Sequence, residues 1–314
     1  MYIYLDIIKE FSCEMCGQCC RNHWQVTLDE ECYKRNYHLF LRSGRMDAFS
    51  KAFIPVTGKG ELGEYAYISK KPEGGCWFLG ENNLCQLQKE AGHDHLDTVC
   101  RIFPRYPMDT SRGTELTLSF SCPKVIKLAS RLKPLEFIRS KNSPILFCAG
   151  QEAVYVYPGQ QSISSPLYYY FEIEYHFIDI LQKRELMMSR RLQLLRNTIS
   201  LIQSLQQDDT VAQELSAIIY ANYELLDQET DTPESIEQSV SDILIENFFV
   251  NFVFKKPFYL YGLVRGMQLL DAMWIQLEQA GRGGIQQVSS MVMELEFQYS
   301  HNRRGLLQRE KGSG

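Results

Sequence analysis

The chain has 314 residues and a mass of 36.5 kDa, long enough to bury a substantial core in one large domain or two ordinary ones. With 45% apolar and 23% charged residues, its composition excludes both a disordered chain and a coiled coil. Its 33 basic and 38 acidic side chains leave a net charge of -5, which supplies no global attraction to nucleic acid or to an anionic membrane.

The first eleven residues, MYIYLDIIKEF, carry Asp6, Lys9 and Glu10 among the apolar positions and no basic segment ahead of them. They do not read as a secretory signal, and no window reaches the roughly 18 uninterrupted apolar residues of a membrane span. A cytoplasmic location is expected. Asp29 is placed to cap a helix from about Glu30 to Phe49, where Tyr33, Tyr37, Phe40 and Leu41 recur at helical spacing, with Gly44 as a bend or stop. Between Phe53 and Lys71, a proline, three glycines and the alternating stretch Glu64 to Ser69 suggest a short hairpin, and Thr114 to Phe120 a further strand. From Leu167 to Leu205 apolar residues repeat every three or four positions, as in one long or two abutting amphipathic helices. Asp209 is a candidate cap for Val211 to Leu226, Thr232-Pro233-Glu234 a helix start, Pro257 the opening of a run to about Gln279, and Gly281 to Gly284 a linker. The expected fold is mainly α with short β-hairpins. A cysteine-rich, metal-stapled region over residues 1–150 precedes a helical region over 151–314, and the two are able to pack as one unit.

Nine of the ten cysteines lie in the first 122 residues. In a reducing compartment such usage points to metal ligands or redox groups rather than structural disulfides. Cys13, Cys16, Cys19 and Cys20 form C-x2-C-x2-C-C, with Gly17 easing the turn, and two-residue spacing lets several thiolates converge on one centre. Cys76, Cys85, Cys100 and Cys122 follow, separated by longer loops. Soft sulfur suits tetrahedral zinc and iron–sulfur clusters alike, and spacing does not separate them. Eight candidates imply two centres, or one with redundant thiols, whereas Cys32 and Cys148 read as small buried hydrophobes. His93 and His95 sit in what looks like an exposed turn. Arg101 and Arg105, flanking Cys100 closely, are candidates to bind a cofactor carboxylate or to stabilise a reduced cluster. Gly58 to Gly63 matches G-x-G-x-x-G, but a strand-like alternation follows it rather than a helix, so it is rejected as a dinucleotide loop.

The motifs Phe11-Ser12-Cys13, Cys19-Cys20-Arg21-Asn22-His23-Trp24, Cys76-Trp77-Phe78-Leu79, Leu84-Cys85, Cys100-Arg101-Ile102-Phe103-Pro104-Arg105 and Ser121-Cys122-Pro123, in that order, resemble the bacterial flagellin lysine-N-methylases. The late stretch Glu246 to Lys255 resembles that family's C-terminal helical region, and the N-terminal half also resembles broader zinc- or iron-chelating cysteine-cluster proteins. The resemblance implies transfer of a methyl group from S-adenosylmethionine to lysine amines of flagellin in the cytoplasm. It further implies a cysteine-bound centre, an iron–sulfur cluster of the 4Fe-4S kind, with zinc as the alternative. Neither nucleic acid nor membrane is an expected partner.

Methylation of lysine requires a neutral amine aligned with the sulfonium methyl, so the substrate ammonium must be desolvated and its proton removed. Tyr65, Tyr67 and Tyr168 to Tyr170 are candidates for a cation-attracting surface, although aromatic residues at such positions are more often core. No base is assigned. The competing reading is a non-catalytic zinc- or iron–sulfur-binding or electron-transfer module whose helical half docks a partner.

Overall fold

The computed structural model describes residues 1–56, 64–144, 154–206, 208–228 and 238–301. In chain order its strands are β1 (Tyr2–Leu5), β2 (Thr27–Leu28), β3 (Phe53–Pro55), β4 (Ala66–Ile68), β5 (Arg105–Thr110), β6 (Gly113–Leu118), β7 (Phe137–Ser140) and β8 (Tyr155–Val156). The chain folds as two compact units. The larger comprises Met1–Phe11 with Arg105–Gly314, and the smaller is Ser12–Pro104. The sequence placed a division near residue 150, whereas the compact units part after Phe11 and Pro104 because β1 and the β5–β6 hairpin build one sheet.

In the smaller unit, the Asp29 carboxylate accepts from Cys32 N at 2.6 Å and starts the helix Glu30–Arg42. Glu30 and Glu31 in its first turn favour the helix dipole. The expected run to Phe49 is cut in two. Arg45 N donates to Phe40 O and Gly44 N to Leu41 O, with Gly44 left-handed at φ +67°, the paired bonds that close a helix at a glycine. A second helix, Met46–Ala52, feeds β3, which pairs antiparallel with β4, and β4 with β2. The expected hairpin is present. Phe40, Phe49, Phe53 and Phe78 are buried beneath it, with ring centroids 4.9 Å apart for Phe49 and Phe53 and 5.4 Å for Phe53 and Phe78.

The larger unit is helix-rich around a five-stranded sheet ordered β7-β1-β6-β5-β8. Short hairpins alone were expected, yet the sheet is mixed, because β1 runs parallel to β6 and β8 parallel to β5. Gly113 sits at φ +119° with a would-be Cβ 2.2 Å from Met1 O, so the backbones approach more closely than any side chain allows. The helix Val240–Phe254 opens with a Ser239–Asp242 capping box and is buried from Ile243 through Phe254. Its apolar circumference is that of a core helix, which accounts for the aromatic composition of Glu246 to Lys255. Two of its amides are consumed by backbone: Asn247 Nδ2 donates to Ala129 O at 2.7 Å and Asn251 Nδ2 to Leu118 O at 3.0 Å.

Around it lie Tyr170–Gln182, Met188–Gln203, Val211–Gln228, Leu263–Gly281 and Ile285–Glu296. The expected Leu167 to Leu205 segment is two helices. Asp208 rather than Asp209 accepts from Thr210 N, at 2.8 Å, ahead of Val211. Pro257 opens one turn only, Pro257–Leu260, before Gly262 restarts the chain into the longer helix. The Gly58 to Gly63 match, Thr232 to Glu234 and Cys148 lie outside the described residues. Among the described residues, no helix is long and apolar enough to cross a membrane.

Candidate functional site

Backbone bonds, more than cysteine spacing, bring the thiols of the smaller unit together. Cys19 and Cys20 sit on a single helical turn, Gln18–Arg21. The loop Lys71 to Gly75 then turns back so that Cys76 N donates to Cys20 O at 2.7 Å. Cys76 is bridged to Lys70 and Cys85 to Leu79 by isolated β pairings, and Cys85 begins the helix Gln86–Ala91. Cys100 lies on Thr98–Ile102, whose N-terminus is capped by the Asp97 carboxylate accepting from Val99 N at 2.8 Å.

The resulting group is electrostatically one system. Hydrogen bonding with Cys20 holds the Cys19 thiol down to about 7 against the opposing effect of burial, and does the same for Cys76. Cys20 is raised by those same bonds. Burial raises Cys85, with Cys76 and Cys19 adding to it. Cys100 keeps much of its residue surface in solvent, yet the protein packed around its thiol, then Asp97, Cys76, Cys85 and Cys19, push it well above its ordinary value. Two thiols with thiolate character near neutral pH, sharing a third as donor, have the chemistry that soft metals and iron–sulfur clusters take.

The arrangement is not a closed coordination sphere. Among the described residues, no group of three or more His, Cys, Asp or Glu side chains stands ready to hold a metal ion. The metal-stapled region expected from the sequence is therefore not what the fold displays. The core of this unit is formed by buried aromatic residues against the three-stranded sheet.

The other expected residues are placed as follows. Cys13 and Cys16 are exposed, and Cys13 Sγ accepts from Met15 N at 3.3 Å. Cys122 belongs to the larger unit, where it is buried ahead of the helix Pro123–Ala129. Cys32 is a core residue, and burial pushes its thiol up to about 11. Arg101 lies in the smaller unit and Arg105 in the larger, where its guanidinium stands 5.1 Å from the Phe11 ring. His93 and His95 occupy a short turn. His95 Nδ1 meets Asn36 Oδ1 at 3.2 Å, and Asn36 Nδ2 donates to both Cys32 O and His95 O at 3.0 Å. These contacts give His95 a structural role. Tyr65 is exposed in the smaller unit, whereas Tyr170 is fully buried in the larger.

Sequence reading missed a buried charge network in the larger unit. Lys256 is fully buried, with Nζ 2.7 Å from Glu115 Oε2 and 2.6 Å from Glu174 Oε1. Arg112 bridges the same two carboxylates at 2.8 Å each and lies 3.6 Å from the Phe171 ring. Burial raises Glu174, whereas at Glu115 the opposing effect of burial is overcome by Lys256 and Arg112, which hold it low. Two cations and two anions make the network neutral, as a buried ion cluster must nearly be. The only sequence signal was Lys255-Lys256-Pro257 closing an otherwise apolar run.

Against this geometry, the chain is similar to lysine-N-methylases. It is 30% identical over 122 residues to the Lysine-N-methylase of Salmonella typhimurium (strain LT2), a stretch covering 38% of this chain and 29% of that protein. The Lysine-N-methylase of Salmonella choleraesuis aligns to the same extent. The Flagellar biosynthetic protein FliU of Salmonella muenchen is 29% identical over 122 residues, which is 70% of its own length. The match thus spans less than a third of the two methylases. No protein-family model matches the chain, and no solved structure does.

Proposed function

We propose that the protein is a lysine N-methyltransferase that modifies flagellin with S-adenosylmethionine as methyl donor and carries a cysteine-ligated metal centre in its smaller unit. The observation that carries the activity is the similarity to the two Lysine-N-methylases, and the FliU similarity supports a flagellar substrate. Support for the centre comes from the shared electrostatics of Cys19, Cys20, Cys76, Cys85 and Cys100. Iron–sulfur is the preferred occupant and zinc the alternative; when bound, it would cross-link the loops that carry these residues.

In the reaction the lysine Nζ lone pair attacks the sulfonium methyl carbon. The carbon–sulfur bond breaks, its electron pair stays on the sulfur of S-adenosylhomocysteine, and the amine loses a proton to solvent or a base. Catalysis of such a step rests on presenting a neutral amine in line with the methyl group. The cytoplasm, before flagellin export, is where the substrate would be met.

The test is anaerobic purification with iron and zinc counted per chain, followed by transfer of labelled methyl groups to flagellin lysines. Stoichiometric metal with labelled flagellin is the expected result. Metal without transfer to any flagellin sinks the enzyme reading and leaves a metal-carrying or electron-transfer module. Transfer without metal sinks the centre alone.

A further inference from the structure

A cavity of about 260 Å³ opens in the larger unit where the start of the helix Met188–Gln203 meets the helices Val240–Phe254 and Leu263–Gly281. Two arginines line it. Arg191 is 98% buried, since its side chain is 2% exposed. Its Nε donates to Leu186 O and its Nη1 to Leu181 O and Glu246 Oε2. No acceptor is taken by its Nη2 among the described residues. Arg184, also lining the cavity, is held by the same Glu246, at 2.7 to 3.2 Å. Two guanidinium groups meet the one buried carboxylate, and Asp242, exposed and also lining the cavity, balances the second. The helix Met188–Gln203 adds unpaired N–H groups, because its N-terminus has no side-chain cap and its first residues, Met188 and Ser189, line the same space.

The helix Leu263–Gly281 contributes Trp274 and, one helical turn on, Glu278 to the lining. Glu278 is exposed and has no partner among the described residues. A simple anion would gain from Arg191 and lose to Glu278, and a simple cation the reverse. A ligand bearing both charges close together gains from both. The volume suits one small molecule, a water in the liquid occupying about 30 Å³, and the apolar lining includes Ile245.

We infer that this cavity binds the ammonium-carboxylate head of an α-amino acid. The carboxylate meets Arg191 Nη2 and the free N–H groups at Met188 and Ser189, and the ammonium lies toward Glu278 and the Trp274 face. A free amino acid and the methionyl portion of S-adenosylmethionine share this head. The second source rests on the methyltransferase reading; the first does not.

Isothermal titration of the full chain with L-methionine, S-adenosylhomocysteine and adenosine tests the assignment, in the unaltered protein and in Ser189→Asp and Glu278→Gln. Ser189→Asp places a carboxylate at an uncapped helix N-terminus, which favours folding while competing with the ligand. The expected result is binding of at least one head-bearing compound, weakened about tenfold or more by Ser189→Asp and several-fold by Glu278→Gln, with no effect of either variant on adenosine. Tighter S-adenosylhomocysteine identifies the methyl-donor source, and tighter L-methionine the free amino acid. Absence of binding by both at millimolar concentration overturns the inference, as does binding that both variants leave unchanged. Methyl transfer to flagellin, assayed in parallel, keeps the two readings apart: activity with unaltered affinity in the variants rejects the cavity alone, whereas wall-dependent binding without transfer rejects the enzyme alone.

Discussion

The two units solve the problem of buried polarity in opposite ways. The larger keeps charges inside and pairs each with an opposite one, with Lys256 and Arg112 against Glu115 and Glu174, and Arg184 and Arg191 against Glu246. The smaller stacks phenylalanines in its centre and carries its reactive groups on turns, where Cys13, Cys16 and Cys100 reach solvent. Burial as such therefore does not mark the chemistry in this protein. The Lys256, Arg112, Glu115 and Glu174 network belongs to the scaffold, and the cysteine group is half-open.

The strongest challenge to that contrast is Lys256→Ala, which leaves Arg112 alone against two buried carboxylates and should cost about 3–5 kcal/mol in chemical denaturation. A loss below about 1 kcal/mol would mean that solvent already screens the network. Acid comes next. His176 is buried, accepts from Asn222 Nδ2 at 3.0 Å, and is pushed by burial down to about 4. Its folded value lies below the unfolded one of about 6.5, so the unfolded chain binds the extra proton, and stability falls as pH drops from about 6.5 toward 4. The decline should approach about 3 kcal/mol for the larger unit and flatten in His176→Gln. Asp97 has the opposite sign. Burial raises it to about 6, so the folded state holds the proton more tightly, and this contribution is lost as pH rises from about 4 to 6. Hydrogen exchange resolved by peptide across that range should show opposite slopes at the two sites; parallel slopes would break the contrast.

At the thiols, Cys76→Ser should remove most bound metal in elemental analysis, whereas Cys32→Ser should retain it, because Cys32 is packed in the core. Equal metal in both variants would contradict the grouping. The smallest effect is expected at Asp29→Ala, about 1 kcal/mol from the lost cap on Cys32 N, read as a lowered denaturation midpoint.

The parts legible in the sequence are those that local chemistry fixes. Asp29 announced the helix start, Gly44 its end, and the alternation around Tyr65 the hairpin. The parallel pairing of β1 with β6 left no such trace, since strands joined across more than a hundred residues need no turn between them. Cysteine spacing does not show the long-range link. Cys20 is joined to Cys76 by a backbone bond over 56 residues, while Cys13 and Cys16 are exposed. Lys256 escaped notice because its burial depends on carboxylates from two remote elements, and a lysine beside a proline ordinarily reads as surface.

The closeness of Phe11 and Arg105 has a topological consequence. The larger unit's chain leaves at one and resumes at the other, with the guanidinium 5.1 Å from the ring, so the smaller unit is an insertion between two positions whose side chains meet. Hosts of that design tolerate excision. Joining Phe11 to Arg105 through a few glycines and serines should leave a cooperative fold behind, and an evolutionary history in which the cysteine segment was acquired as a cassette would have needed no redesign of its recipient.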